Sequence, residues 1–489
     1  MKVRANFLAA GSANGTLPRS AGGPSPAARP HDETSPNLTR LASLTTRCGR
    51  GPSALRRLQN GSVLIIVLWI ALGLVAITLY FGNSMSSELR ASDNRVQSIA
   101  AEQAIEGAAR YVAKVLTDQA TNGIVPYYSD YANEAVAVAD AHFWLIGRTD
   151  GQAAPNEIAF GLVDEGSKLN INNTNVTAEM LELLPRMTPE LAAAIIDWRD
   201  SNEDATTSGA EADTYARLRP AYYCKNAPFD SLDELRLVNG ATMEILLGED
   251  VNRNGVLDPS ETDDNRNGIA DPGIMEYLTV SSQEPNTRTD GTARLNINGN
   301  RNQLGTLLSD TFSAARANQI LARLGPPNRQ FSSVLEFYSA SGMTTTEFTS
   351  IETEISTQSG AVIRGRVNVN TASAAVLTCI PGIGEDKAAE LISYRLSNTG
   401  ASDTVAWVTK VLTDANSIRE AGPFLTGQSY QFTADIAAIG KFGRGYRRTK
   451  FIFDTTEGTP KIVYRQNLSG LGWALGKETR QTWLATATP

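Results

Sequence analysis

Hydrophobic and polar positions divide this chain into regimes with different periods. From Ser62 to Phe81 no residue is charged, a run long enough to cross a hydrocarbon core of about 30 Å at 1.5 Å per residue. It predicts one membrane-spanning helix. From Ser86 to Asp118 there is no proline, and Leu89, Val96, Ile99, Ala104, Ala108, Tyr111, Val112 and Val115 recur near helical spacing. Anchor and stalk, 62–118, are therefore expected to form one helix about 85 Å long. Period-two alternation follows in "HFWLIGR" from His142 and "EIAFGLVDE" from Glu157, and returns in "YQFTADIAAIG" from Tyr430, "YRRTKFIFD" from Tyr446 and "KIVYR" from Lys461. The expected fold class is α+β. One antiparallel sheet is assembled from 119–165 and 426–489, and a mostly helical region, 166–425, is inserted between its strands.

The inserted region repeats. "KLNINNTN" from Lys168, "RLNINGNR" from Arg294 and "RVNVNTAS" from Arg366 share a basic residue followed by apolar-Asn-apolar-Asn, each ahead of helix-forming sequence. In the third copy, "NVNTASAAVLTCIPGIGEDKAAELISYR" reads as helix, tight turn at Gly382 and Gly384, helix. This is a helix-hairpin-helix pattern of the SAM-like kind. The first copy, "LELLPRMTPELAAAIIDWRD", carries Pro185 and Met187 where the glycines are expected. Such hairpins commonly grip DNA backbone, but here Glu385 and Asp386 follow the turn and would repel phosphate, so a scaffold role is expected.

Charge points the same way. The formal charge is −8, although residues 1–61 hold Lys2, Arg4, Arg19, Arg29, Arg40, Arg47, Arg50, Arg56 and Arg57 against only Asp32 and Glu33. The remainder is thus more acidic than the whole, which argues against a nucleic-acid partner. A basic leader before the apolar run places the N-terminus in the cytoplasm and the body outside it. Cys224 and Cys379 either pair or remain as two buried thiols, alternatives the spacing leaves open. Enzyme chemistry finds little support. His142 is the one histidine beyond the leader, no G-x-S-x-G elbow occurs, and "LGWALGKET" lacks the first glycine of a phosphate loop.

Two acidic stretches have the spacing of calcium loops within 249–276. In "DVNRNGVLDPSE", Asp250, Asn252 and Asn254 occupy positions one, three and five, Gly255 six, Val256 seven through its carbonyl, Asp258 nine and Glu261 twelve. "DDNRNGIADPG" repeats the idea with Asp263, Asn265, Asn267, Gly268 and Asp271, but Ile274 stands at position twelve. Short oxygen-bearing side chains at alternate positions suit a hard cation, so structural calcium is the expected cofactor. The competing reading is solvated Asn/Asp/Gly turns. Asp200, Glu211 and Asp213 form a further candidate cluster.

Asn60-Gly61-Ser62, preceded by Arg56 and Arg57, resembles the class III signal of type IV pilins and pseudopilins, cut directly before the apolar run. A shorter secretory signal peptide fits poorly, and a plain signal anchor is the simpler alternative. If cleavage follows Gly61, Ser62 is the first mature residue and Ile66 the fifth. Pseudopilins usually carry glutamate there, a carboxylate costly in an apolar filament unless paired with a neighbour's N-terminal amine. A subunit with isoleucine suits a filament tip. More specifically, "FGLVDEGSKLNIN", "AIIDWRDSN", "GAEADTY", "KNAPFDSLDELRLVNG" and "YRRTKFIFD…PKIVYRQNLSGLGWAL" resemble the protein K family of minor pseudopilins of type II secretion systems. The resemblance implies a pilin-like head carrying a large inserted helical domain, and calcium binding. It implies the I- and J-type minor pseudopilins, the pseudopilus, the prepilin peptidase and the inner-membrane secretion platform as partners. It also implies an inner-membrane protein with a periplasmic body that caps the pseudopilus without catalysis. A minor pilin or adhesin of a type IV pilus, and a membrane-anchored competence-type DNA receptor, are the alternatives; the second predicts a basic body.

Overall fold

A computed structural model of the chain describes residues 60–148, 157–398 and 404–485. The basic leader before residue 60 lies outside the described residues. Contacts divide the chain into two units, up to Leu79 and from Tyr80 onward. Helix α1, Asn60–Gln119, begins in the first. Within that unit Val63 to Leu79 is helical, with its large aliphatic side chains exposed. Among the described residues it is the one helix long and apolar enough to cross a membrane.

The second unit contains the rest of α1, a sheet and a helical insertion. Strands β1 (Val136–Val138), β2 (Ala141–Ile146) and β3 (Val163–Asp164) come first. The insertion then runs through three modules. The first opens with β4 (Leu169–Asn170), continues through α2 (Ala178–Glu182), α3 (Pro189–Arg199), α4 (Ala212–Ala216) and α5 (Met243–Leu247), and closes with β5 (Leu278–Thr279). After β6 (Gln283–Pro285), the second runs from β7 (Leu295–Asn296) through α6 (Arg301–Thr311), α7 (Ala314–Arg323), α8 (Val334–Ser341) and α9 (Thr345–Glu352) to β8 (Ile355–Ser356). After β9 (Val362–Arg364), the third runs from β10 (Val367–Asn368) through α10 (Ala374–Thr378), α11 (Gly384–Ser397) and α12 (Ala415–Ala421) to β11 (Leu425–Thr426). The chain ends in β12 (Gln431–Ile439), β13 (Arg447–Asp454), β14 (Lys461–Asn467) and α13 (Gly476–Ala485).

The head sheet has the order β1-β2-β12-β13-β14, with β3 also pairing β12. All of its pairs are antiparallel. Strand β12 is buried along its whole length, because each of its faces is covered. Ala434, Ile436 and Ala438 join Phe143, Leu145, Phe432, Phe451 and Phe453 in packing on Ala101, Ala104, Ile105, Ala108 and Val112 of α1. Small residues on the helix let it lie close to the strands. Trp144, Ile146, Ala437 and Ile439 face the other way, onto Ala474, Leu475 and Trp483. "EIAFGLVDE" forms only a bridge at Phe160 and the two residues of β3.

Each inserted module is closed by a two-residue parallel ribbon, β4 with β5, β7 with β8 and β10 with β11. The second asparagine of each repeat clasps the chain next to it. Asn172 Nδ2 donates to the Phe229 carbonyl at 2.9 Å while its Oδ1 accepts from Phe229 N–H at 2.8 Å. Asn298 does the same to Phe331, at 2.9 and 2.8 Å. Asn370 donates to the Gly427 carbonyl and accepts from Trp407 Nε1–H. The repeated asparagines are thus structural fasteners, and one hydrophobic core runs through all three modules.

Candidate metal sites

The two acidic loops follow α5 and precede the turn at Ile274–Glu276. Their shared base is tied by a bridge between Gly248 and Pro272. Glu249 draws the second loop in: its Oε1 accepts from Asp264 N–H at 2.9 Å and its Oε2 from Asp271 N–H at 3.1 Å.

Local chemistry folds both loops alike. Asp250 accepts from the N–H groups of Asn254 (2.9 Å) and Gly255 (2.8 Å). Asp263 accepts from those of Asn267 (3.2 Å) and Gly268 (2.9 Å). The fourth and sixth positions take left-handed φ in both, Arg253 (60°) and Gly255 (83°), Arg266 (60°) and Gly268 (76°). At position nine, Asp258 accepts from the side-chain amides of Asn252 (2.6 Å) and Asn254 (2.9 Å). Asp271 accepts from those of Asn265 and Asn267. In each loop, amide hydrogens meet the carboxylate where a cation-holding loop gathers oxygens.

Closure differs. Glu261 at position twelve returns to the first loop, accepting from Asn252 N–H (3.1 Å) and Asp258 N–H (3.0 Å). Ile274, its counterpart in the second, is buried in the insertion core. The first loop therefore gathers the side chains of Asp250, Asn252, Asn254, Asp258 and Glu261. Asn252 is 7% exposed and its Oδ1 is buried without a hydrogen-bond partner. Burial pushes the carboxyls of Asp250 and Glu261 up, and for Glu261 the neighbouring Asp250 and Asp258 add to it. A divalent cation relieves this crowding of negative charge. The donor set fits calcium in the first loop, with the Val256 carbonyl available at position seven; the second loop offers fewer oxygens and stands exposed.

The third cluster is not the one expected from sequence. Asp200 and Glu211 come together, but their partner is Asp197, with ligand atoms of the three within 4.8 Å of one another. Asp213 is exposed and lies 3.9 Å from Arg217. Asp197 and Asp200 are three residues apart, at the end of α3 and just beyond it, so their carboxylates share a face. The loop before α4 wraps Asp197: it accepts from Thr206 N–H (3.2 Å) and Ala210 N–H (2.8 Å). A Cβ on Gly209 would stand 1.9 Å from Asp197 Oδ2, so only glycine fits there. Glu211 is 5% exposed, and burial followed by Asp197 and Asp200 raises its pKa, with the Cys224 thiol and the Ala212 N–H opposing the rise. The "DWRD" spacing held the signal for Asp197.

Cys224 and Cys379 are both free thiols, which removes the possible disulfide. Cys379 is buried, its thiol donating to the Ala375 carbonyl at 3.2 Å. Its burial pushes its pKa up to about 12.

The hairpins are likewise structural. In the third module the turn packs on α12: Gly382 has φ 80°, and a Cβ there would meet the Ser417 carbonyl at 2.9 Å. Arg395 turns inward to the carbonyls of Val369 and Ala372. Arg199 does the same in the first module, to Ile171, Asn173 and Val176. Counted back from these two arginines, Arg186 (φ 64°) and Thr188 stand where Gly382 and Gly384 do, not Pro185 and Met187. Gly61 and Ser62 lie in the first turn of α1, and Ile66 is exposed on it.

Residues 162–247 match the family model described as "Type II secretion system (T2SS), protein K", and 362–404 match one for a helix-hairpin-helix motif. The carboxylate triad lies inside the first match and both acidic loops lie beyond it. A chain in the crystal structure of the GspK-GspI-GspJ complex from the enterotoxigenic Escherichia coli Type 2 Secretion System is similar at 10% identity and TM-score 0.37. That similarity covers 75% of this chain and 95% of that one. No curated protein matches.

Proposed function

We propose, from the premise that this chain belongs to the type II secretion system protein K family, that it caps the pseudopilus tip and initiates the filament with its minor-pseudopilin partners. The observation that carries the reading is the protein K match over 162–247. Its supports are the apolar helix ahead of the body and the α-helix-on-sheet head from which the modules project. The role is structural and without catalysis. Membrane insertion comes first, with the N-terminus cytoplasmic and the body periplasmic. The prepilin peptidase then cuts after Gly61, and the exposed apolar face of α1 packs against the I- and J-type minor pseudopilins at the inner-membrane platform. Ile66 gives no carboxylate to a subunit ahead, which favours the terminal position. Calcium in the first acidic loop, and at Asp197, Asp200 and Glu211, stiffens segments with little core of their own.

A DNA-receptor reading is disfavoured by the α12 cover over the third hairpin turn. The deciding experiment is the N-terminal mass of the full chain expressed with its prepilin peptidase. A product beginning at Ser62 supports the reading; an intact leader beside an active peptidase overturns it.

A further inference from the structure

The first acidic loop does more than close on itself: its outer backbone is gripped by the head. Arg448, on β13, is fully buried and forks onto Asp435 of β12, with Nε–Oδ1 at 2.8 Å and Nη2–Oδ2 at 2.6 Å. The same guanidinium donates to two loop carbonyls, Asn252 at 2.5 Å and Arg253 at 2.7 Å. Arg148, just beyond β2, donates to the Arg253 carbonyl at 3.1 Å and pairs with Glu276 at 2.7 Å. The amides of Asn252 and Asn254 reach the carbonyls of Trp473 (3.4 Å) and Ala474 (3.3 Å), in the segment that covers the outer face of the sheet. Arg253, between these contacts, takes the same left-handed backbone as Arg266 in the second loop, so the loop's own chemistry sets its shape and the head contacts are added to it.

The peptide at 252–253 is thus held on one side by the head. On the other, the side chains of Asp250, Asn252, Asn254, Asp258 and Glu261 converge within the loop. We propose that the first loop is a calcium-dependent latch, in which an ion inside the loop and Arg448 outside it fix the same strip of backbone and so lock the inserted modules onto the pilin-like head. This rests on the calcium reading above. Two groups that order one segment favour each other, and the coupling is reciprocal: calcium tightens the Arg448 junction, and the junction raises calcium affinity. The second loop is a built-in contrast: Asp263 and Glu249 shape it through the N–H groups of Asn267, Gly268, Asp264 and Asp271, whereas Arg448 reaches the carbonyls of the first loop.

The test uses the full chain in detergent micelles and calcium chloride as the probe. Titration calorimetry measures binding, and hydrogen exchange is read at 447–454 and 472–475. Helix α7 of the second module serves as the internal control, because its Arg316 bonds to Gly342 and Glu347 within that module. Calcium is expected to slow exchange at both segments several-fold in the wild type but not in Glu261→Gln. Arg448→Gln is expected to weaken binding about tenfold. Should it fail to fold, Arg448→Lys keeps the charge beside Asp435 but loses the fork and is expected to weaken binding in the same direction. Calcium binding that Glu261→Gln abolishes, with head exchange unchanged, overturns the latch and leaves the calcium reading standing. No calcium binding overturns both.

Discussion

The two acidic loops share their local chemistry and differ in everything beyond it. Both wrap an aspartate at position one with the N–H groups of positions five and six, and both place left-handed residues at four and six. Yet the first is closed by Glu261 and lies against buried Arg448, while the second ends in a core isoleucine and lies in solvent. A sequence motif therefore specifies a loop's shape. What that shape is coupled to depends on residues far away, here on two strands some two hundred positions later.

The largest effect that breaks the contrast is at Arg448. Arg448→Met leaves Asp435 buried without its cation and frees the carbonyls of Asn252 and Arg253; removing one partner of a buried pair costs about 3–5 kcal/mol. Urea unfolding of the full chain in micelles checks it, and a loss below about 1 kcal/mol would mean that water replaces the guanidinium there. Substituting ligands in the first loop comes next. A cation held at a hundredfold excess over its Kd adds about 2.7 kcal/mol to the folded state. Glu261→Gln is expected to remove the calcium-dependent part of Tm and to lower calcium-free stability by the one loop hydrogen bond it loses, about 1 kcal/mol.

Between the loop and the sheet lies a polar cavity of about 20 Å³, lined by Arg148, Lys168, Arg253, Glu276, Asp435 and Lys450. Its excess of cations sharpens the comparison, because only the first loop carries this electrostatic cost. Burial lowers the Lys450 ammonium to about 8, with Lys168 and Arg253 repelling it and Glu165 opposing the shift. Between pH 8 and the ordinary lysine value, the unfolded chain binds more protons than the folded one. Stability from this residue therefore rises with pH across that window, and the cost is fully present below it. The shift corresponds to roughly 3 kcal/mol. Lys450→Met is expected to be neutral or stabilising at pH 7 and to flatten the rise between pH 8 and 10; an unchanged slope would assign it to another group.

What the sequence disclosed follows the range of each interaction. Strands β2, β12, β13 and β14 were legible because period-two alternation is local, and the loops because Asp and Asn at fixed offsets bind their own backbone. The anchor helix needed only its uninterrupted apolar run. The parallel ribbons were not legible: Leu169 pairs with Leu278 and Leu295 with Ile355, and two-residue strands leave no periodic trace. The "DWRD" spacing places Asp197 beside Asp200, but only folding brings Glu211 to them. Spacing leaves a thiol pair at Cys224 and Cys379 open, and the structure holds both as free thiols. Arg448 reads in "YRRTKFIFD" as one more surface cation, and its burial depends on a loop that chain order does not place beside it.

The smallest expected effect is at the second loop. Asp263→Asn removes a charge from an exposed loop and keeps only one of the two oxygens that accept from Asn267 and Gly268 N–H. Exposed electrostatic contributions are worth about 0–1 kcal/mol. The substitution should therefore move stability by less than about 1 kcal/mol and leave calcium-dependent protection at 447–454 intact. If it abolished that protection, the ion would be shared between the loops through Glu249, which accepts from both Asp264 and Asp271. The two loops would then have to be treated as a single site, with the difference between them lying in exposure and not in function.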